Sequence, residues 1–546
     1  SDLNVGNLFL TNSSVMGATL LVTANNVVAD KSTLLAYEDV LFTVSDNTLI
    51  KSSVIQSGND FTFNSDRFVL DDTVATVGGN LDANGSLISS VFSTVYVDGN
   101  INIVADTLFE NTDSMLYSGK GITLNNLDNS YGVIVAQGDI SIFNETQALN
   151  NYYGSISTRG DGSVLNLHVD DFNNVEGALY SEGDLNLLYS DQSKQDLAGS
   201  VYSRKDMLIR DKNLTSTGYL FSGNLLTIQA DELTNKGAVF SEGHVRLNVQ
   251  DTVLNEGAIV GDTISVESNS FVNLNTVSAT SDVHIQSNTD FSNSGRVTSG
   301  QGISLIVGSA INNVGGTLKS QGDLLLTGLT INNLTGHMSG ADITATSKTF
   351  DNSNGAVVAN THLDISSDIL LNNNTNSDGN GLVSFGSMIL NVKDSIDNSN
   401  GLIRSSSNMV LTAINSIQNN NATIISSGDM TINTALFSQN AGSTSSAGSM
   451  SIVSDSLSNT NSLLSSGSDM MLSNVDNNSG TILVGGTLTL DNNDSLLDNK
   501  NGLIYGTTGT SLIHLIVSDI DNHDGFISSQ GDVQLNYTDT TSQTLV

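Results

Sequence analysis

The chain has 546 residues, 38% of them hydrophobic, and contains no Pro, Cys or Trp. Its 56 acidic and 18 basic residues leave a net charge of −38 at pH 7, a sign that disfavours nucleic acid and anionic membrane surfaces as partners. Without Cys there is no disulfide framework and no thiolate metal site, and the apolar content is too high for an acidic disordered chain. At ordinary usage about 27 Pro would be expected in this length. Pro cannot donate to a β-ladder, so its absence fits a backbone that is mostly internal ladder.

An apolar pair of the form apolar-x-apolar recurs along the whole sequence, often after Gly-Asp, as in GDLNL, GHVRL, GDMTI and GDVQL. Its first residue falls at Leu20, Phe42, Phe61, Leu81, Ile101, Ile122, Ile140, Leu165, Leu185, Met207, Leu226, Val245 and Ile264. The series continues at Val283, Ile303, Leu324, Ile343, Leu363, Met388, Met409, Met430, Met450, Met470, Leu488, Ile513 and Val533. These 26 anchors are spaced by 18 to 25 residues, about 20.5 on average. Two apolar residues separated by one leave the same face of a strand. A third apolar residue follows, for example Phe68, Leu108, Phe172, Leu233, Ile311, Phe350, Ile396 or Ile520, then Asn and Gly, then a short strand such as AVFS at 238–241. Each repeat reads strand, turn, strand, Asn-Gly corner, strand, Gly-Asp corner.

One such coil cannot bury its apolar side alone; stacked copies pair their backbones and form continuous apolar ladders. The expected fold is all-β: a right-handed parallel β-helix of about 26 coils, with handedness taken from the crossover rule. Propeller blades repeat at about twice this length, and sandwich strands hold no such fixed period. Residues 1–19 read as an irregular first coil continuing an upstream solenoid, and residues 20–546 as the β-helix itself. The chain opens at Ser1 without a signal peptide and reads as an internal or processed segment.

The units GDLLLTGLTINNLTGHMSG (322–340) and SIDNSNGLIRSSSNMVLTAINSIQNNNATIISSGDMTI (395–432) resemble haemagglutinin repeats. Those repeats belong to the filamentous haemagglutinin family of two-partner secretion exoproteins, which includes adhesins and effectors of contact-dependent growth inhibition. The resemblance covers nearly the whole chain. It implies an outer-membrane transporter as a partner during secretion, a place on the bacterial outer surface, and a filament. That filament either adheres to a receptor protein or glycan on a target cell or presents a distal receptor-binding or toxic part to it.

Chemistry-bearing residues are spread rather than gathered. Between the paired anchors the outward column carries only two acids, Asp82 and Asp364, fourteen coils apart, which is no arrangement for acid–base hydrolysis. The seven His are scattered, where zinc needs three or four converging ligands. Asp- and Asn-rich corners leave a structural calcium open as an alternative. The reading is therefore a non-enzyme with no catalytic, cofactor or metal residues; a polysaccharide-degrading β-helix or a glycan-binding module is the alternative. Five consecutive Met anchors, Met388 to Met470, read as core packing. Two partner-contact candidates remain. One is a basic cluster, Lys194, Arg204, Lys205, Arg210 and Lys212, which on a plainer reading is a solvated face relieving like-charge repulsion. The other is Ile389 with Val410, apolar residues of the outward column on adjacent coils, just after an insertion at 372–380.

Overall fold

A computed structural model describes residues 1–190, 194–376 and 379–538. All regular structure among them is β-strand, wound as a parallel β-solenoid of about 26 turns. The chain divides into two compact units, Ser1–Ser268 and Asn269–Val546.

In the first unit the anchors, with one exception, lie opposite those of the next coil, as in Leu185, Met207, Leu226, Val245 and Ile264. Parallel pairing in register sends every second side chain into the same interior ladder, so the apolar pair of each coil is covered by its neighbours' pairs. The second coil corrects one anchor. Val40, not Phe42, lies opposite Leu20 and Phe61, while Phe42 pairs with Val22 and Phe63. Val40, Phe42 and Val44 are all buried; three alternating apolar residues leave the frame undetermined until neighbours are paired. Phe109 likewise takes the inward place opposite Ile88, and Leu108 is only half-buried beside it. A register shift after Gly85 moves the strand by one residue there. Within residues 1–19, the strands Asp2–Asn4, Asn7–Thr11 and Ser14–Gly17 pair in register with the following coil.

The second unit repeats the arrangement. Leu363, Met388, Met409, Met430, Met450, Met470 and Leu488 form one column, each at most 1% exposed. Intervals of 25 residues are absorbed without loss of this register: Leu363 still faces Met388, and Leu488 still faces Ile513. The strand Ala356–Leu371 ends before the insertion at 372–380 and Gly381–Ser384 begins after it; positions 377–378 lie outside the described residues. After Leu488 the extra length divides between a register shift at Asn492–Leu496 and the turn before Leu512.

The Asn-Gly corners carry a second, polar ladder inside the wall. In the first unit Asn111, Asn129, Asn151 and Asn174 are linked amide to amide at 2.7 Å. In the second, the chain of side-chain bonds runs from Asn273 through Asn293, Asn313, Asn333, Asn352, Asn372, Asn398 and Asn419. It passes Gln439 and ends through Asn459, Asn477, Asn499 and Asn522. An amide both donates and accepts, so a member inside the run is satisfied from both sides, which burial demands; Asn111, which opens the first run, donates to Asn129 while its own Oδ1 has no partner. Gly follows three residues after most of these Asn because a Cβ there would collide with the Asn Oδ1 and with the carbonyl of the coil before, as at Gly355 and Gly401.

Candidate functional site

The basic stretch of the first unit is not one cluster in the fold. Arg204 and Lys205 sit at a Gly-Asp-type corner, whereas Arg210 closes the strand Met207–Arg210 and Lys212 lies beyond it. Arg204 and Lys205 share a shallow groove with Arg159, Asp161 and Glu182, residues brought up from the two preceding coils. Arg204 Nη1 donates to Glu182 Oε2 at 2.8 Å. The Tyr180 hydroxyl donates to Glu182 Oε1 at 2.6 Å. These two bonds hold the Glu182 carboxyl below its ordinary range, the tyrosine bond first, and the same bond pushes the Tyr180 phenol up. Arg210 Nε donates to Gln229 Oε1 at 3.1 Å. Lys194 opens the strand Lys194–Leu197.

Next to this groove lies a feature the outward column of the first strand did not reveal. On the third strand of four successive coils, Tyr180, Tyr202, Phe221 and Phe240 face one another in register. Their ring centres are 5.0, 4.5 and 5.2 Å apart and their planes within 14° of parallel. All four are half-buried, and the Arg159 guanidinium carbon lies 5.1 Å from the centre of the Tyr180 ring. Parallel strands bring identical positions about 5 Å apart, so aromatic residues at one position stack automatically. The signal was present in the sequence as ALYS, SVYS, YLFS and AVFS, each with its aromatic third.

In the second unit Ile389 and Val410 are register partners, set between Asp364 and Thr431 in the same column. Ile389 is 37% exposed, and Val410 is half-buried. Among the described residues no group of three or more His, Asp or Glu is placed to hold a metal ion, and no helix is long and apolar enough to cross a membrane.

No curated protein and no solved structure matches the chain. The haemagglutinin repeat matches it seven times, at residues 93–161, 194–257, 270–336, 327–417, 406–474, 469–536 and 504–546. With nearly all of the second unit and about half of the first covered by that repeat, and each repeat length folding as stacked parallel coils, the chain belongs to the haemagglutinin-repeat family.

Proposed function

We propose that this chain is the shaft of a secreted bacterial surface exoprotein, exported through an outer-membrane transporter and mediating adhesion or presenting a distal receptor-binding or toxic part to a target cell. The observation that carries this reading is the series of haemagglutinin repeats laid on a continuous column of register-locked coils in each unit. Such a column places surface residues at fixed, repeating positions, and a quasi-one-dimensional fold extends by adding coils. On this reading the chain performs no catalysis. The supporting experiment displays the chain on a host cell together with its transporter and measures attachment to target cells. Attachment that requires the displayed chain agrees with the proposal, and cells that attach equally without it contradict it.

A second reading, a binding module, is favoured by the aromatic column Tyr180–Tyr202–Phe221–Phe240. Its rings cover one another's faces, which leaves their edges outward and suits a protein receptor better than a sugar ring seeking an open aromatic face. Replacing Tyr202 and Phe221 by Thr and assaying attachment separates this reading from a purely passive shaft.

A further inference from the structure

One residue in many coils takes the left-handed backbone conformation at the corner before the third strand. In the second unit it is usually Asn: Asn354, Asn374, Asn400, Asn421, Asn461 and Asn501 all have φ between 49° and 57°. In the first unit four successive coils place Asp113, Tyr131, Tyr153 and Glu176 there, at φ of 50°, 58°, 53° and 56°. Their succession is fixed by the backbone, since Asp113 N–H donates to Ser130 O, Tyr131 N–H to Tyr152 O and Tyr153 N–H to Val175 O. A bulky side chain is unfavourable in this conformation, where Asn or Gly is tolerated. Earlier coils of the first unit place Lys31, Ser52, Asp72 and Phe92 at the same corner, so Asn is not required there; what sets Tyr131 and Tyr153 apart is that they stand on adjacent coils and bring two rings together.

The two rings are 50% and 52% exposed. They lie parallel within 3°, with centres 5.6 Å apart. Tyr152, half-buried, stands at about a right angle to both, 5.6 Å from Tyr131 and 4.6 Å from Tyr153. The carboxylates of the column, Asp113 and Glu176, come one coil before and one coil after, at a coil spacing of about 5 Å. Both phenols are pushed above their ordinary value, Tyr131 chiefly by burial and Tyr153 chiefly by Tyr152; the ionised groups acting on them are Asp113 and Glu176. The rings therefore stay neutral in an electronegative setting. Beside them the polar row is already engaged: Asp128 Oδ1 accepts from the Ser130 hydroxyl, and Asn150 Nδ2 donates to both Asp128 Oδ2 and Ser130 Oγ.

We propose that the Tyr131–Tyr152–Tyr153 corner, flanked by Asp113 and Glu176, binds an organic cation, either a quaternary ammonium group or a lysine or arginine side chain of a basic partner. Aromatic rings attract a cation over their faces, most strongly a weakly hydrated one. Tyr131 and Tyr153 stack on each other, so the faces left to a cation are the outer ones, toward the coils of Asp113 and Glu176, whose carboxylates add a charge of the right sign. They repel an anionic sugar, and the bonded Asp128–Ser130–Asn150 row offers a neutral sugar few free groups. The protein already uses this chemistry internally, with Arg159 over Tyr180. The proposal does not rest on the shaft reading.

The test titrates the intact chain with choline and with a lysine-rich peptide, with galactose as the neutral control, following the tyrosine resonances by NMR. The expected result is saturable binding of choline, weakened about tenfold or more by Tyr131→Asn with Tyr153→Asn and less by Glu176→Gln. The Asn pair suits the left-handed corner, so its loss of binding is not a loss of folding. Binding of the peptide without choline retains the site and assigns it to a protein partner. No saturable binding of either cation, unchanged binding in the double variant, or a galactose response indifferent to Glu176→Gln overturns the proposal. Cell attachment is measured separately, so a failure of adhesion with cation binding intact counts against the function and not against this site.

Discussion

The side-chain amide of Asn372 donates to Asn398 Oδ1 at 2.7 Å, although the two are 26 positions apart and Asn372 opens the insertion at 372–380. The polar ladder in the wall thus holds its step where the chain does not hold its period. Asn398 passes the bond on to Asn419 at 2.8 Å. Replacing Asn398 with Ala leaves the Asn419 acceptor and one of the two Asn372 amide hydrogens unsatisfied, both in buried side chains, while Asn372 keeps its bond to the Leu402 carbonyl. A loss of about 1–3 kcal/mol is expected for each unsatisfied group, read as earlier urea unfolding and faster amide exchange in the coils on either side. Gly401→Ala is expected to be at least as damaging, because its Cβ would meet the Asn372 carbonyl and Asn398 Oδ1.

Met430 tests the apolar ladder in the same way. It is 1% exposed and faces Met409 and Met450. Met430→Asp would bury a carboxylate without a partner, costing several kcal/mol, about 3 or more. In a fold where each coil touches only its neighbours the damage should stay local. Hydrogen exchange should show lost protection near Met430 with protection retained at Leu185–Ile264; uniform loss across the chain would refute local coupling.

Ala441 offers a stabilising substitution. It holds φ of 53° between Asn421 at 49° and Asn461 at 50° in the same corner column. A left-handed conformation costs an ordinary residue about 1–2 kcal/mol, and Asn recovers part of this through local hydrogen bonding. Ala441→Asn is expected to raise stability by roughly 0.5 kcal/mol or more, read as a higher denaturation midpoint. A lower midpoint would mean that Cβ strain does not govern these corners.

The Glu182 carboxyl sets a pH dependence. Its folded value is depressed by the Tyr180 and Arg204 bonds. A depressed acid contributes stability that is complete above its unfolded range and is lost as pH falls through its folded value. Arg204→Gln removes one of the two causes, so the Glu182 titration followed by NMR should move up toward the ordinary carboxylate range. The local loosening at the Tyr180–Tyr202 stack should then begin at higher pH. An unchanged titration would show that the Arg204 bond seen at 2.8 Å does not persist in solution.

The fold was legible because parallel coils turn repetition in sequence into contact in space, so Leu185, Met207 and Leu226 announce one another by spacing alone. Where two frames are equally apolar, spacing does not decide. Phe42 and Val40 both alternate correctly, and only pairing with Leu20 and Phe61 selects Val40. Leu108 and Phe109 are adjacent apolar residues whose choice depends on a one-residue shift after Gly85. The candidate sites were harder to read. The aromatic column stands in the third strand, whose short length gives little phase information, although ALYS and SVYS repeat it openly. The basic residues were neighbours in sequence and separate across a strand in space, while Arg159, more than forty residues before Arg204, joins it. The tyrosine corner was hidden because left-handed backbone is suggested in a sequence by Asn and Gly, which Tyr131 and Tyr153 replace.

The repeats of an exported surface shaft, as proposed, lie outside the cell. The most direct measurement is protease shaving of intact source cells, with and without the outer-membrane transporter, followed by mass spectrometry of the released peptides. The account predicts peptides from both units, Ser1–Ser268 and Asn269–Val546, released only when the transporter is present. Peptides recovered only after lysis, or released equally without the transporter, would contradict it.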